Sequence, residues 1–202
     1  MIGQAPAQLL YVQENVIAAI AIDGSTTIPL PITVTLGGAE AASVTMPVVP
    51  CGQNVNCGVF APGLFTSNSS GSGNLAAVNA DGTVNSASSP AKRGAMVLLY
   101  GTGFYERFGL GRQADSFGSL LLQSTPPVEA FVGGEPAYVL YAGSALGMMC
   151  SAQQFNVIIP ADSATGPAVP VQLGMAFAGE TPLSPFTWYT SQAGTTLRTV
   201  AG

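Results

Sequence analysis

The side chains in this sequence able to do chemistry are ten carboxylates and three cysteines; histidine is absent. Without it the chain lacks the commonest general base, the usual metal ligand and the standard third member of a nucleophilic triad. Any catalysis would run on carboxylates or cysteine alone. The acids are Glu14, Asp23, Glu40, Asp81, Glu106, Asp115, Glu129, Glu135, Asp162 and Glu180, and no two lie within four residues of each other. A glycosidase needs two convergent carboxylates, which only tertiary structure could supply here. Most of these acids stand in or beside turns, where solvated acids are ordinary. A calcium loop would cluster its oxygen ligands, whereas Asp81-Gly82 alone is a turn signal. Gly101–Gly103 and Gly109–Gly111 have no phosphate-loop lysine and no helix after them. The sequence therefore predicts no enzyme, no metal site and no cofactor.

Cys51 and Cys57 bracket the polar loop CGQNVNC, with no second pair or histidine to complete a zinc site. This spacing predicts a local disulfide, adding on the order of 2–3 kcal/mol, and with it an oxidising compartment. Cys150 is left over, as a buried small side chain or as a partner for another chain. The aromatics Trp188, Tyr100, Tyr105, Tyr138, Tyr141 and Tyr189 would serve a sugar-binding face if exposed, or the core if buried.

Charged residues make up 7% of the chain against 48% hydrophobic, and the net charge is −5. Lys92, Arg93, Arg107, Arg112 and Arg198 form no stripe, which excludes a nucleic-acid footprint and a polybasic membrane patch. The surface must be built from Ser, Thr, Asn, Gln, Gly and Ala. Such a surface repels its neighbours weakly and suits a protein that packs against copies of itself, or one that lives outside the cell. No secretory signal is visible: the first residues lack a basic start, and Gln13, Glu14 and Asn15 interrupt the apolar run. The stretch 16–22 is too short to span a bilayer. The expectation is a removed signal or a piece of a longer chain.

The elements that must position these side chains are strands. Short β-rich runs alternate with turns, and 25 Gly and 15 Pro punctuate them. The pattern predicts strands at 8–12, 16–22, 30–36, 42–48, 76–79, 96–100, 128–132, 137–141, 153–159, 169–177 and 186–190, with a short last one at 197–200. Gly37-Gly38, Asp81-Gly82 and Gly133-Gly134 read as turns. Residues 66–73, TSNSSGSG, read as a crossing between modules. Residues 107–123 form a long connection holding Phe108, Phe117 and Leu120–Leu122. With no helices between strands, the fold class is all-β: immunoglobulin-like antiparallel β-sandwich modules.

A weak internal repeat is present. AQLLYV (7–12) aligns with AQQFNV (152–157), and PITVTLGG (31–38) with PVQLGMAFAG (170–179). The second copy is preceded by further strands and the first is not. The division expected is residues 1–60 as an incomplete module of back-half strands, and 61–202 as a complete one. An open half-sandwich exposes edges and an apolar face that something should cover.

From Ala61 onward, APGLF, GSGNLAAVNADGTVNSASSPAKRGAMVLLYGTGF, VGGEPAYVLYAG and QQFNVIIPADSATGPAVPVQL resemble the repeated C-terminal domain of large secreted proteins from Solibacter and other Acidobacteria. The resemblance covers roughly residues 61–190. It implies an immunoglobulin-like or TIG-like sandwich on exported bacterial proteins, and no catalytic residues. The CGQNVNC insertion and the apolar 104–122 connection depart from the family pattern, which leaves open an appended module or a subunit in its own right. The function expected is an extracellular structural or adhesive β-protein that self-associates, a filament subunit completed by strand exchange with copies of itself. The alternative is a carbohydrate-binding or spacer module of a larger secreted protein, with polysaccharide as partner.

Overall fold

A computed structural model describes residues 1–14, 16–20, 30–46, 62–104, 128–148, 152–177 and 187–202. Among them there is no helix. The chain divides into two compact units, Met1–Val59 and Phe60–Gly202.

The first unit holds β1 (Gln8–Gln13), β2 (Val16–Ile20), β3 (Leu30–Leu36) and β4 (Ala39–Met46). They form two separate two-stranded antiparallel ribbons, β1 with β2 and β3 with β4. β3 reads LPITVTL, a run rich in β-branched residues that favours extended backbone. It turns back through Gly37 and Gly38, with φ of 60° and 84°. Two successive positive-φ residues make the tight turn whose twist matches a hairpin, and nothing lies within 4 Å of a Cβ built on either glycine. Conformation, not space, requires glycine there.

The second unit contains β5 (Gly63–Leu64), β6 (Gly73–Asn74), β7 (Ala77–Asn79), β8 (Ala91–Lys92), β9 (Met96–Thr102), β10 (Val128–Val132), β11 (Glu135–Ser144), β12 (Gln153–Ile158), β13 (Gly166–Phe177), β14 (Thr187–Thr190) and β15 (Thr195–Val200). They join in one eleven-stranded sheet, in the order β5-β9-β12-β11-β10-β13-β15-β6, with β7 also on β9, β14 on β13 and β8 on β15. The pairs are antiparallel except β15 with β6 and β15 with β8. The twelve runs anticipated from the sequence all carry strands; the two-residue β5, β6 and β8 were too short to leave a pattern.

Alternation decides which side of this sheet is inside. Val97 and Leu99, Phe155 and Val157, Ala130 and Val132, Val169, Val171, Leu173 and Met175, and Leu197 are all buried in one cluster. The residues between them point outward. A single sheet whose inward residues share one core must curl around it.

The two ends of the sheet meet at a seam. Residues 66–73, expected as a crossing between modules, instead form a tight hairpin within the second unit. Thr66 bridges Leu75, Ser67 N donates to Asn74 O at 2.8 Å, and Ala76 N donates to Phe65 O at 2.8 Å. The small polar side chains hold the turn rather than loosen it. Asn68 Oδ1 accepts from Ser70 N and Oγ at 3.1 and 2.8 Å, and Thr66 Oγ1 accepts from Gly71 N at 3.0 Å. The hairpin places β5 on β9 at one end of the sheet order and β6 on β15 at the other.

Three carboxamides act at and near this seam as if they were peptide groups. Asn85 donates to Arg198 O at 2.9 Å and accepts from Arg198 N at 2.9 Å. Gln192 donates to Leu64 O at 2.6 Å and accepts from Leu64 N at 2.8 Å. Gln153, fully buried, donates to Phe104 O at 3.0 Å and accepts from Phe104 N at 2.9 Å. An amide side chain carries the same donor and acceptor as a backbone unit, so each one extends the ladder where no strand reaches.

Gln153→Leu is expected to leave the Phe104 amide and carbonyl without these partners and cost about 1–3 kcal/mol, read from the urea midpoint. Gln153→Glu should behave differently with pH. Burial and the Phe104 carbonyl are expected to raise the introduced carboxyl's folded pKa above its unfolded value, against the smaller opposing pull of the Phe104 N–H that donates to it. The variant's relative stability is therefore full at low pH and lost as pH rises through the raised value, whereas Gln153→Leu shows no such dependence.

The aligned repeats do not share their pairing. β12 pairs with β9 and β11, whereas β1 pairs with β2. The longer link after β1 contains a strand that folds back on it; the link after β12 contains only the turn at 160–163.

Candidate functional site

The acids that the structure describes are dispersed. Glu14 follows β1, Glu40 and Glu135 stand just past their glycine-pair turns, and Asp81 and Asp162 sit in turns. Among the described residues no group of three His, Cys, Asp or Glu comes together. Asp81 does local work. Its carboxylate accepts from Thr83 Oγ1 at 2.6 Å and Thr83 N at 2.9 Å. These bonds, the hydroxyl first, hold its pKa below the usual 3.8. The turn they close, with Gly82 at φ 83°, returns the chain so that Val84 bridges Val78. Cys51, Cys57 and Cys150 lie outside the described residues, as do Asp23, Glu106, Asp115, Glu180, Tyr105 and the 107–123 connection.

The surface that stands out is in the first unit. Among its described side chains only Leu30 is buried. Leu9, Val12, Val16, Ile17, Val44 and Met46 are exposed, and Leu36 is 78% exposed. All eight residues of β4 are exposed. Soluble folds rarely leave so many large aliphatic side chains in water on so few strands.

Backbone edges are open there as well. Pro31 O accepts from Gly3 N at 2.7 Å, Thr33 N donates to Met1 O at 3.0 Å, and Met1 N donates to Thr33 O at 2.7 Å. Pro31 and Thr33 therefore turn their peptide groups toward the N-terminal segment. That suits Pro31, which has no N–H to give to β4. Because these groups alternate along a strand, Leu30, Ile32 and Val34 make the bonds to their partners Met46, Val44 and Ala42. Ser43 and Thr45 then direct theirs away from β3. No strand among the described residues pairs with that outer side of β4. The sequence signal for this surface was the apolar β-rich run itself; which side of it stays open could not be read from it.

The aromatics divide. Trp188 is 51% and Tyr138 71% exposed, whereas Tyr189 packs against the core. Tyr141 Oη donates to Ser144 O at 2.8 Å. The carboxamide bridges were missed from sequence, although Gln153 left one trace: it occupies an inward position of the alternation that continues with Phe155 and Val157.

No protein-family model, no curated protein and no solved structure matches the chain. Among the described residues no helix is long and apolar enough to cross a membrane.

Proposed function

We propose that this chain is an extracellular structural or adhesive β-protein that self-associates, as a filament subunit does, with the strands of its first unit completed by strands of neighbouring copies. One observation carries the reading: β1–β4 form two ribbons in which, among the described side chains, only Leu30 is buried. Isolated two-stranded ribbons are marginal in water, and three or more strands with a covered face are needed for stability. An added strand would satisfy the outward groups of β4 and cover apolar side chains in one step.

Composition supports the same reading. With charged residues at 7% of the chain, copies meet with little electrostatic repulsion. In the second unit the curled sheet, its single core and the passage of residues 73–79 from β15 to β9 support an immunoglobulin-like architecture. The likeness of residues 61–190 to the exported Acidobacterial domain supports a place outside the cell.

Sedimentation velocity and electron microscopy across a range of protein concentration test the assembly. Growth of oligomers or filaments with concentration is expected. A monomer at every concentration, with β1–β4 amides still protected from hydrogen exchange, would sink the reading.

A further inference from the structure

A second surface lies on the outward side of the second unit's sheet. Glu129 pairs with Gly174, and Gly174 with Thr190. Ala130 pairs with Ala137, so the same antiparallel register sets Tyr138 beside Glu129. Tyr138, Glu129, Gly174 and Thr190 thus form one row across four strands. Their neighbours Ala130, Leu173, Met175 and Ser191 are the buried ones, so the row faces out.

Gly174 is the exception, buried although it belongs to the outward row. A Cβ built on it would lie 3.5 Å from Trp188 Cε3 and 3.4 Å from Thr190 Cγ2. The absence of a side chain there makes a seat on which the indole lies against the sheet while half its surface stays in water. Trp188 over β13 and Tyr138 on β11 are then two strand spacings apart, roughly 10 Å. That is about the span of two sugar rings. Between them, on β10, is the exposed Glu129 carboxylate; the exposed Thr190 hydroxyl flanks the indole seat on the other side of Gly174, on β14.

We propose that Trp188, Glu129, Thr190 and Tyr138 form a binding platform for a neutral β-linked polysaccharide. Flat sugar faces stack on the two rings, and ring hydroxyls donate to Glu129 and Thr190. The charge on the row selects the ligand class. Among the described residues the ionisable side chain between the rings is an acid, on a chain of net charge −5, which disfavours anionic glycans and nucleic acid. A second copy would want a continuous apolar patch, and Glu129 and Gln172 interrupt this one. The platform is independent of the assembly proposed above, and either can fail alone.

The test uses the full chain, whose single tryptophan makes fluorescence a reporter of this site. The protein is titrated with the hexasaccharides of cellulose, chitin, xylan and β-mannan, and co-sedimented with insoluble cellulose and chitin. A saturable blue shift with at least one of them is expected, little changed by salt. Tyr138→Ala should weaken binding about tenfold, the worth of one stacked ring. Gly174→Val, which fills the seat, should also weaken it, and Val84→Ser on a separate hairpin should not. No shift with any of the four, a shift produced by protein concentration alone, or an unchanged affinity in Tyr138→Ala would each overturn the proposal.

Discussion

Replacing Phe155 with alanine is expected to cost the second unit about 3–5 kcal/mol, the range for emptying a buried aromatic site. Phe155 is fully buried in β12, with Leu99 and Ala142 as its cross-strand partners on β9 and β11. Its ring stands 4.5 Å from that of Phe104, at 57° between planes, an inclined packing that aromatic rings favour. β9, β12 and β11 can close only part of the space it would leave, because each is pinned by its own ladder. A domain has about 5–15 kcal/mol in all, so the loss is a large share. Urea unfolding followed by far-ultraviolet circular dichroism measures it. Phe155→Leu should lose clearly less, since most of the volume is kept. A loss below about 1 kcal/mol for the alanine variant would mean that this cluster is not the folding core.

The second large effect concerns assembly. Ser43→Pro combined with Thr45→Pro is expected to reduce self-association at least about tenfold and to leave the β3–β4 hairpin in place. Both residues turn their N–H groups away from β3, so proline removes donors that the hairpin does not use. Proline at strand edges is also what natural sheets use to block further pairing. Ala42→Pro is the contrast: its N–H faces Val34, and the substitution should disrupt the hairpin itself. Sedimentation velocity reads the association, and amide exchange reads the hairpin. Unchanged association in the double variant would show that the outer edge of β4 is not where copies meet.

How much of this was legible beforehand depends on the range of the interaction. Strands were visible because alternation is a local property: QQFNVI and VEAFV carry their inward and outward faces in the order of their residues. Glycine pairs marked hairpins because positive φ is a property of single residues; Gly133 and Gly134 adopt 65° and 86°. The TSNSSGSG stretch misled because small polar residues serve flexible links and hydrogen-bonded turns alike. Only the presence of Gly101, Tyr100 and Thr196 as backbone partners decides between them. The repeat misled in the same way: similar strands were paired differently because an extra strand intervened in one copy.

Composition alone settled the class of protein to expect: a sparsely charged, β-rich chain without histidine, punctuated by glycine and proline. Those are properties of residues taken singly or a few apart. The curl of the second sheet, its closure through Asn85 and Gln192, and the seating of Trp188 on Gly174 were decided in three dimensions. The closing bonds join residues far apart in the chain: 113 positions separate Asn85 from Arg198, and 128 separate Leu64 from Gln192; Trp188 meets Gly174 through the pairing of β14 with β13. A hydrogen bond or a ring contact across that distance leaves no periodic trace, because its geometry exists only after the strands between have taken their places.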